Sequence, residues 1–210
     1  LISVDKDAEN CIVVASGANA DLSAADIDNC SDAIRGAGIL LMQLEIPVPS
    51  VLRAAETAHE AGVMTVLNPA PALELPAEIF RYISLFIPNE TELSMYSGMP
   101  VTDERSAAVA ARTMMEKGVE RLIVTMGSKG ALIVDADGCI GIPAFKVDAV
   151  DTTAAGDTFC GALCVALSEG RGVVEAARFA SAASALAVRK VGAQNSIPSR
   201  EEVETFLDNQ

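Results

Sequence analysis

Between residues 38 and 126, short apolar runs alternate with longer stretches whose apolar positions recur every three or four residues. The runs at 39–44, 64–67, 85–87 and 122–126 have the length and bounding residues of buried strands. Between them, a helix capped by Ser50 is predicted to run to Ala61 and close at Gly62. Pro76 opens a short helix through Tyr82, and two more follow at 90–96 and 103–117. Alternation of this kind dictates right-handed crossovers and an α/β fold with a parallel sheet covered on both faces. Outside that region, residues 1–4 and 11–14 read as a hairpin around the polar turn 5–10. Residues 17–20 read as a loop, and 22–29 as a short helix with a Ser23–Asp26 capping pattern. Residues 131–135 and 139–142 form a second predicted hairpin, 142–150 a strand-like approach, and helices follow at about 156–168, 173–189 and 200–207.

Composition narrows the class. Half of the 210 residues are hydrophobic and 21% are charged, enough for a sizeable core and too apolar for disorder. A net charge of −14 argues against nucleic acid or an anionic membrane as partner. An anionic ligand must then be held locally, by backbone amides, a cation or a few basic side chains. The five cysteines have no zinc or redox spacing, and Cys160 and Cys164, one turn apart, lack a second ligand pair. They read as thiols in a reducing cytoplasm. No apolar run reaches the roughly 20 residues needed to span a bilayer.

Each of the four strands between 39 and 126 is followed or closed by a polar residue: Glu45, Asn68, Asn89 and Thr125. In parallel sheets ligands bind beyond the carboxyl ends of the strands, so these four residues are candidates to share a crevice.

The most informative stretch is Ala149-Val150-Asp151-Thr152-Thr153-Ala154-Ala155-Gly156-Asp157-Thr158-Phe159. Small residues lead into apolar positions at helical spacing, which puts Ala154, Ala155, Gly156 and Asp157 at the start of a helix. There the first N–H groups lack intrahelical acceptors, the dipole is positive, and small side chains let an anion approach the backbone. A carboxylate at Asp157 is awkward in a simple anion site but sensible beside a hydroxyl that attacks a phosphoryl group. The plainer reading of the same residues is a capped helix with an acidic first turn.

Asp-Thr-Thr-Ala-Ala-Gly-Asp-Thr-Phe is similar to the C-terminal signature of the ribokinase-like (PfkB) sugar kinases. The resemblance extends to Leu40-Leu41-Met42-Gln43-Leu44-Glu45, Asn68-Pro69-Ala70-Pro71-Ala72, Pro88-Asn89-Glu90-Thr91-Glu92 and Gly192-Ala193-Gln194. It implies a single three-layer α/β/α ribokinase-like domain over 1–210, with residues 1–16 a remnant of a β lid and Gly17-Ala18-Asn19 the loop after it. The family's fold begins with roughly a hundred residues that carry sugar-binding segments and strands. The expectation is therefore a chain whose N-terminal part is missing, a fragment poorly soluble or unable to bind ribose by itself.

The resemblance also implies ATP-dependent phosphorylation of D-ribose at its 5-hydroxyl, in the cytoplasm, by a homodimer when full-length. Asp157 is then the catalytic base and a substrate contact, with Ala154, Ala155, Gly156 and Asp157 forming the anion hole. Glu45 contacts the sugar. Asn89 contacts ATP phosphate and Glu92 holds Mg²⁺ through water, although by spacing alone Asn89 and Glu92 read equally as a helix cap.

Thr125-Met126-Gly127-Ser128-Lys129-Gly130 lacks Walker spacing and reads neutrally as a glycine-rich hairpin connection, yet it matches the family's nucleotide-site segment. Gly156, Asp157 and Ser181 complete the ATP contacts, Ser181 standing where the family commonly has His. A potassium ion is implied at Asp151, Thr153, Ala187, Lys190, Gly192 and Ser196. His59, between Glu56 and Glu60, reads as a surface residue. Another sugar or nucleoside kinase, or a non-catalytic nucleotide-binding fragment, are the alternatives.

Overall fold

A computed structural model describes residues 2–4 and 10–210. Among these residues the chain divides into two compact units. One comprises Ser16–Met126 and Leu132–Gly141; the other takes in Gly127–Ala131, Ile142–Gln210 and the N-terminal strands.

The first unit is built on a six-stranded sheet. Its strands are β3 (Ile39–Met42), β4 (Met64–Leu67), β5 (Leu85–Phe86), β6 (Arg121–Thr125), β7 (Ala131–Asp135) and β8 (Gly138–Ile142), adjacent in that order. β3 to β6 pair in parallel, with Ile39 opposite Met64, Val66 opposite Leu85, and Leu85 opposite Arg121. The link from β6 to β7 is too short for a parallel crossover, so β7 turns back and β8 continues the hairpin. Leu122, Ile123 and Val124 are all fully buried, so both faces of β6 are covered, as interior parallel strands require. Each such side chain contributes roughly 2 kcal/mol of burial. At the β8 edge Cys139, Ile140 and Gly141 are exposed instead.

Helices α1 (Ala24–Asn29), α2 (Ser31–Arg35), α3 (Val48–Glu60), α4 (Glu90–Ser97) and α5 (Glu104–Glu116) complete this unit. The core joins Leu44, Val51, Leu67, Phe86, Leu93, Met114 and Leu122 into one cluster. Asp103 caps α5 through a reciprocal bond with Ser106, and Ser23 and Asp26 do the same for α1.

The second unit packs α6 (Ala155–Ser168) on α7 (Val173–Ala187), with α8 (Arg200–Asp208) against α7. The α7 face is almost all alanine: Ala176, Ala177, Ala180, Ala182, Ala183 and Ala187 are buried. Such small side chains let the two helix backbones approach closely. The N-terminal strands β1 (Ile2–Val4) and β2 (Asn10–Ile12) pair antiparallel, Ile2 opposite Ile12; most of the predicted turn between them lies outside the described residues.

The structure corrects several sequence expectations. α3 begins at Val48 after Pro47, with Pro49 in its first turn, because proline's fixed φ suits a helix start. Ser50 is not its cap: the buried hydroxyl donates to the Leu22 carbonyl at 2.6 Å. Gly17–Asp21 is a 3-10 turn closed by the Asn19 N–H on the Ser16 carbonyl, whereas the short helix opened by Pro76 does run over Ala77–Tyr82, as 3-10. α2 was not foreseen, since five residues carry no readable period. Residues 143–149 form no strand: Pro143 lacks a donor, and Phe145 packs on Phe206 of α8 at 5.2 Å instead.

Candidate active site

The second unit holds the signature stretch. Ala154 caps α6 with φ 59° and ψ 12°, a left-handed conformation adopted by no other non-glycine among the described residues. Such a residue stores about 1–3 kcal/mol, a cost concentrated at functional sites. The Ala155 N–H donates to the Thr152 carbonyl, and the helical ladder starts with the Thr158 N–H on the Ala154 carbonyl at 2.9 Å. Gly156, between them, donates to no backbone carbonyl among the described residues, and a Cβ there would meet nothing within 4 Å. Gly156 and Asp157 are exposed, while Thr158, Phe159 and Cys160 turn inward. One face of the first turn thus presents Gly156 and Asp157 to solvent, and the other anchors the turn in the core.

Three bonds hold that turn from beneath. The Val150 and Asp151 N–H groups both donate to the Val188 carbonyl, and the Ser184 hydroxyl donates to the Ala155 carbonyl at 3.0 Å. Sequence reasoning missed Ser184 and Val188. Ser184 was detectable as a hydroxyl within an alanine face, whereas a backbone carbonyl carries no sequence signal. Ser181, expected near a nucleotide base, is half-buried one turn earlier on α7.

Asp151 is 3% exposed; its Oδ1 accepts the Thr153 N–H and its Oδ2 the Gly192 N–H, each at 2.9 Å. The Gly192 amide is the main cause holding this carboxyl below its ordinary range, with the Thr153 amide adding to it. The Thr153 hydroxyl itself is buried and reaches no partner with hydrogen-bond geometry. An anionic carboxylate, an unpartnered buried hydroxyl and the Gly192 turn therefore converge. Around them, the Ala187 carbonyl accepts the Lys190 N–H at 3.0 Å, and the fully buried Ser196 donates to the Ala193 carbonyl at 2.6 Å. These groups offer oxygen donors only, the ligand type that hard cations take. Lys190 turns its ammonium outward to Glu202 at 3.2 Å, so only its backbone is available. Among the described residues no cluster of His, Cys, Asp and Glu suits a transition metal. Burial pushes the Cys164 thiol up to about 11, which excludes it as a nucleophile at neutral pH.

Gly127–Lys129 is a 3-10 turn within the connection from β6 to β7, closed by the Gly130 N–H on the Gly127 carbonyl at 3.0 Å. Ser128 and Lys129 are exposed on it. Gly130 has φ +100°, and a Cβ there would lie 2.0 Å from the Ile142 carbonyl oxygen.

In the first unit the parallel pairing of β3 to β6 puts Glu45, Asn68, Asn89 and Thr125 at one edge of the sheet. At about 4.8 Å per strand the row is roughly 14 Å long. Glu45 is exposed beyond β3. Asn68 is committed to structure: its N–H donates to the Met42 carbonyl and its Nδ2 to the Ile87 carbonyl at 2.8 Å. Asn89 and Thr125 face each other in a bridge, the Thr125 N–H on the Pro88 carbonyl, and Met126 beside it is buried.

Asn89 and Glu92 form the reciprocal cap of α4: Oδ1 accepts the Glu92 N–H and Glu92 Oε2 accepts the Asn89 N–H, both at 2.8 Å. Glu92 is buried, which raises its pKa, the Asn89 amide opposing. Its Oε1 makes no hydrogen bond among the described residues, so an outer-sphere hold on a hydrated cation fits while direct coordination by both oxygens does not. His59 is exposed, its ring 5.4 Å from that of Tyr82. Among the described residues no helix is long and apolar enough to cross a membrane.

The family model described as pfkB family carbohydrate kinase matches residues 1–200. The chain is 45% identical over 208 residues to a ribokinase of Haemophilus influenzae, covering 99% of this chain and 68% of that protein. A deoxyribokinase of Salmonella typhi is 38% identical over 207 residues, covering 98% and 68% respectively. The solved structure of Arabidopsis thaliana ribokinase complexed with ribose and ATP superposes with a TM-score of 0.89 at 34% identity, covering 98% of this chain and 67% of that one. The chain thus spans about two thirds of the length of these relatives. With a left-handed residue opening α6 beside Asp157, a parallel sheet with a polar carboxyl edge, and these matches along its length, the chain belongs to the PfkB family of carbohydrate kinases.

Proposed function

We propose that this chain carries the nucleotide-handling and catalytic part of an ATP-dependent kinase that phosphorylates D-ribose at its 5-hydroxyl. The carrying observation is the start of α6: a left-handed Ala154, a Gly156 amide without a backbone acceptor, and the exposed Asp157 carboxylate one residue on. Asp157 orients the sugar hydroxyl and takes its proton as the oxygen bonds to the γ-phosphorus. The bond from that phosphorus to the β–γ bridging oxygen breaks, and ADP leaves. Amides of the first turn hold the charge of the transferring group, a task for positioning and electrostatics more than base strength.

Thr125, Met126, Gly127, Ser128, Lys129 and Gly130 are assigned to the nucleotide, with Asn89 at its phosphates and Ser181 on the base side. Glu45 is assigned to the sugar. Mg²⁺ would neutralise phosphate charge, Glu92 holding it through water by Oε1. A potassium ion would be held by Asp151, Thr153, Ala187, Lys190, Gly192 and Ser196, and the buried Thr153 hydroxyl supports that assignment.

A second reading, 2-deoxyribose as acceptor, is favoured by the likeness to a deoxyribokinase. The test is a coupled ADP-release assay over a panel of pentoses, deoxypentoses and nucleosides, repeated with Asp157→Asn. Turnover highest with ribose, lowered about 10²–10⁴-fold in Asp157→Asn with the KM for ATP nearly unchanged, is the expected result. Near-normal turnover in that variant removes Asp157 from the role, and no turnover with any acceptor refutes the kinase assignment for this chain.

A further inference from the structure

Residues 68–75 leave the carboxyl end of β4, the edge to which the proposed function assigns ligands. Their path is pinned at three points. Asn68 Nδ2 donates to the Ile87 carbonyl at 2.8 Å, and the Leu44 N–H donates to the Ala70 carbonyl at 2.9 Å. At Leu73 both backbone groups engage one side chain: the N–H donates to the Tyr96 hydroxyl at 3.2 Å, and that hydroxyl donates to the Leu73 carbonyl at 2.7 Å.

Tyr96 is well placed to act as a strut. It is 8% exposed, its ring set edge-on against Phe86 at 5.5 Å and Phe80 at 6.2 Å, and its own carbonyl accepts the Lys117 Nζ at 2.6 Å. A packed phenol has two torsions and little freedom to lose. Burial raises its pKa, the Leu73 amide opposing and the charge of Glu92 adding, so it remains a neutral hydroxyl that both donates and accepts. Leu73 itself is 38% exposed, and the paired bonds fix where its backbone lies. Tyr96 also sits on α4, the helix whose start is the Asn89–Glu92 cap, and so ties the segment after β4 to the helix after β5.

We propose that Tyr96 is a positioning residue for phosphoryl transfer, its hydroxyl holding residues 68–75 against α4 so that the chain leaving β4 keeps a fixed place beside the Asn89–Glu92 start of that helix. The inference rests on the kinase assignment above. Tyr96→Phe keeps the ring and removes the strut's tip. In the whole protein, Leu73 amide hydrogen exchange is expected to rise at least about tenfold, the exchange equivalent of one net hydrogen bond. With ATP and ribose, kcat is expected to fall about tenfold with the sugar KM changed less than about twofold, the signature of a contact realised in the transition state. Asn68→Ala with Tyr96→Phe should turn over no more slowly than Asn68→Ala alone, since both act through one segment.

A merely structural tyrosine would raise exchange and leave kcat unchanged; that result, or additive losses in the double variant, overturns the proposal. If the unsubstituted protein phosphorylates no acceptor, the kinase assignment fails on its own. The positioning role then falls with it, whereas an unaltered Leu73 amide in an active protein overturns the proposal alone.

Discussion

Gly130→Ala adds side-chain volume where the surrounding backbone leaves it no room. An added Cβ would lie 2.0 Å from the Ile142 oxygen, 2.8 Å from the Ala144 nitrogen and 3.0 Å from the Pro143 carbonyl carbon. All three are backbone atoms, so no rotamer change relieves the clash, and residues 142–144 must retreat by at least about 1 Å. Overpacking of this kind costs about 1–3 kcal/mol. The φ of +100° adds strain of about 1–3 kcal/mol for a residue with a Cβ. A total near 4 kcal/mol corresponds to a melting temperature lower by about 8–16 °C in a chain of this size. Gly170→Ala is the control: its φ is +82° but a Cβ there meets nothing within 4 Å, so only strain remains. At about 2 kcal/mol, its expected loss is about 4–8 °C. Thermal unfolding followed by circular dichroism measures both. Equal losses in the two variants, or a Gly130→Ala protein melting with the parent, would refute the close approach of residues 142–144 to Gly130.

Three further outcomes are expected. Glu92→Gln keeps the α4 cap, because glutamine also serves that position, and removes a buried carboxylate whose pKa is raised. A raised carboxyl pKa means that stability falls as pH rises from the unfolded value through the folded one. The variant should therefore melt at or above the parent at pH 7, the gap closing near pH 4 on a pH series of melting curves, and a destabilised variant at pH 7 would contradict the burial argument. Turnover should be higher in potassium than in tetramethylammonium at equal ionic strength, and Thr153→Val should blunt that difference without loss of melting temperature; identical rates in both salts would remove the cation. Ser199→Ala deletes the reciprocal cap of α8, in which the Ser199 hydroxyl accepts the Glu202 N–H at 3.2 Å. It should cost about 1 kcal/mol, and an unchanged urea midpoint would show that the cap is redundant.

Local physics wrote much of this protein into its sequence. The strands at Met64–Leu67 and Ala131–Asp135 are apolar runs bounded by turn residues, and the caps at Ser23 and Asn89 are exchanges between residues three apart. The start of α6 was legible for the same reason: small residues, a glycine and an acid in order suffice to mark a helix N-terminus. What was not legible depends on residues distant in the chain. That Ser50 would answer Leu22 rather than cap a helix, that Ser184 would hold Ala155, and that Tyr96 would grip Leu73 follow from hydrogen bonds spanning 28, 29 and 23 residues. Neither partner's identity signals such bonds. Nor could the sequence tell that the Asn68 amide is taken by the Ile87 carbonyl and that the Thr153 hydroxyl is buried with no partner. A side chain's commitments are settled by which groups the tertiary structure leaves within about 3 Å of it. The sequence by itself determined where a small-residue helix start would form; only the folded chain decided which of its neighbours hold that turn in place.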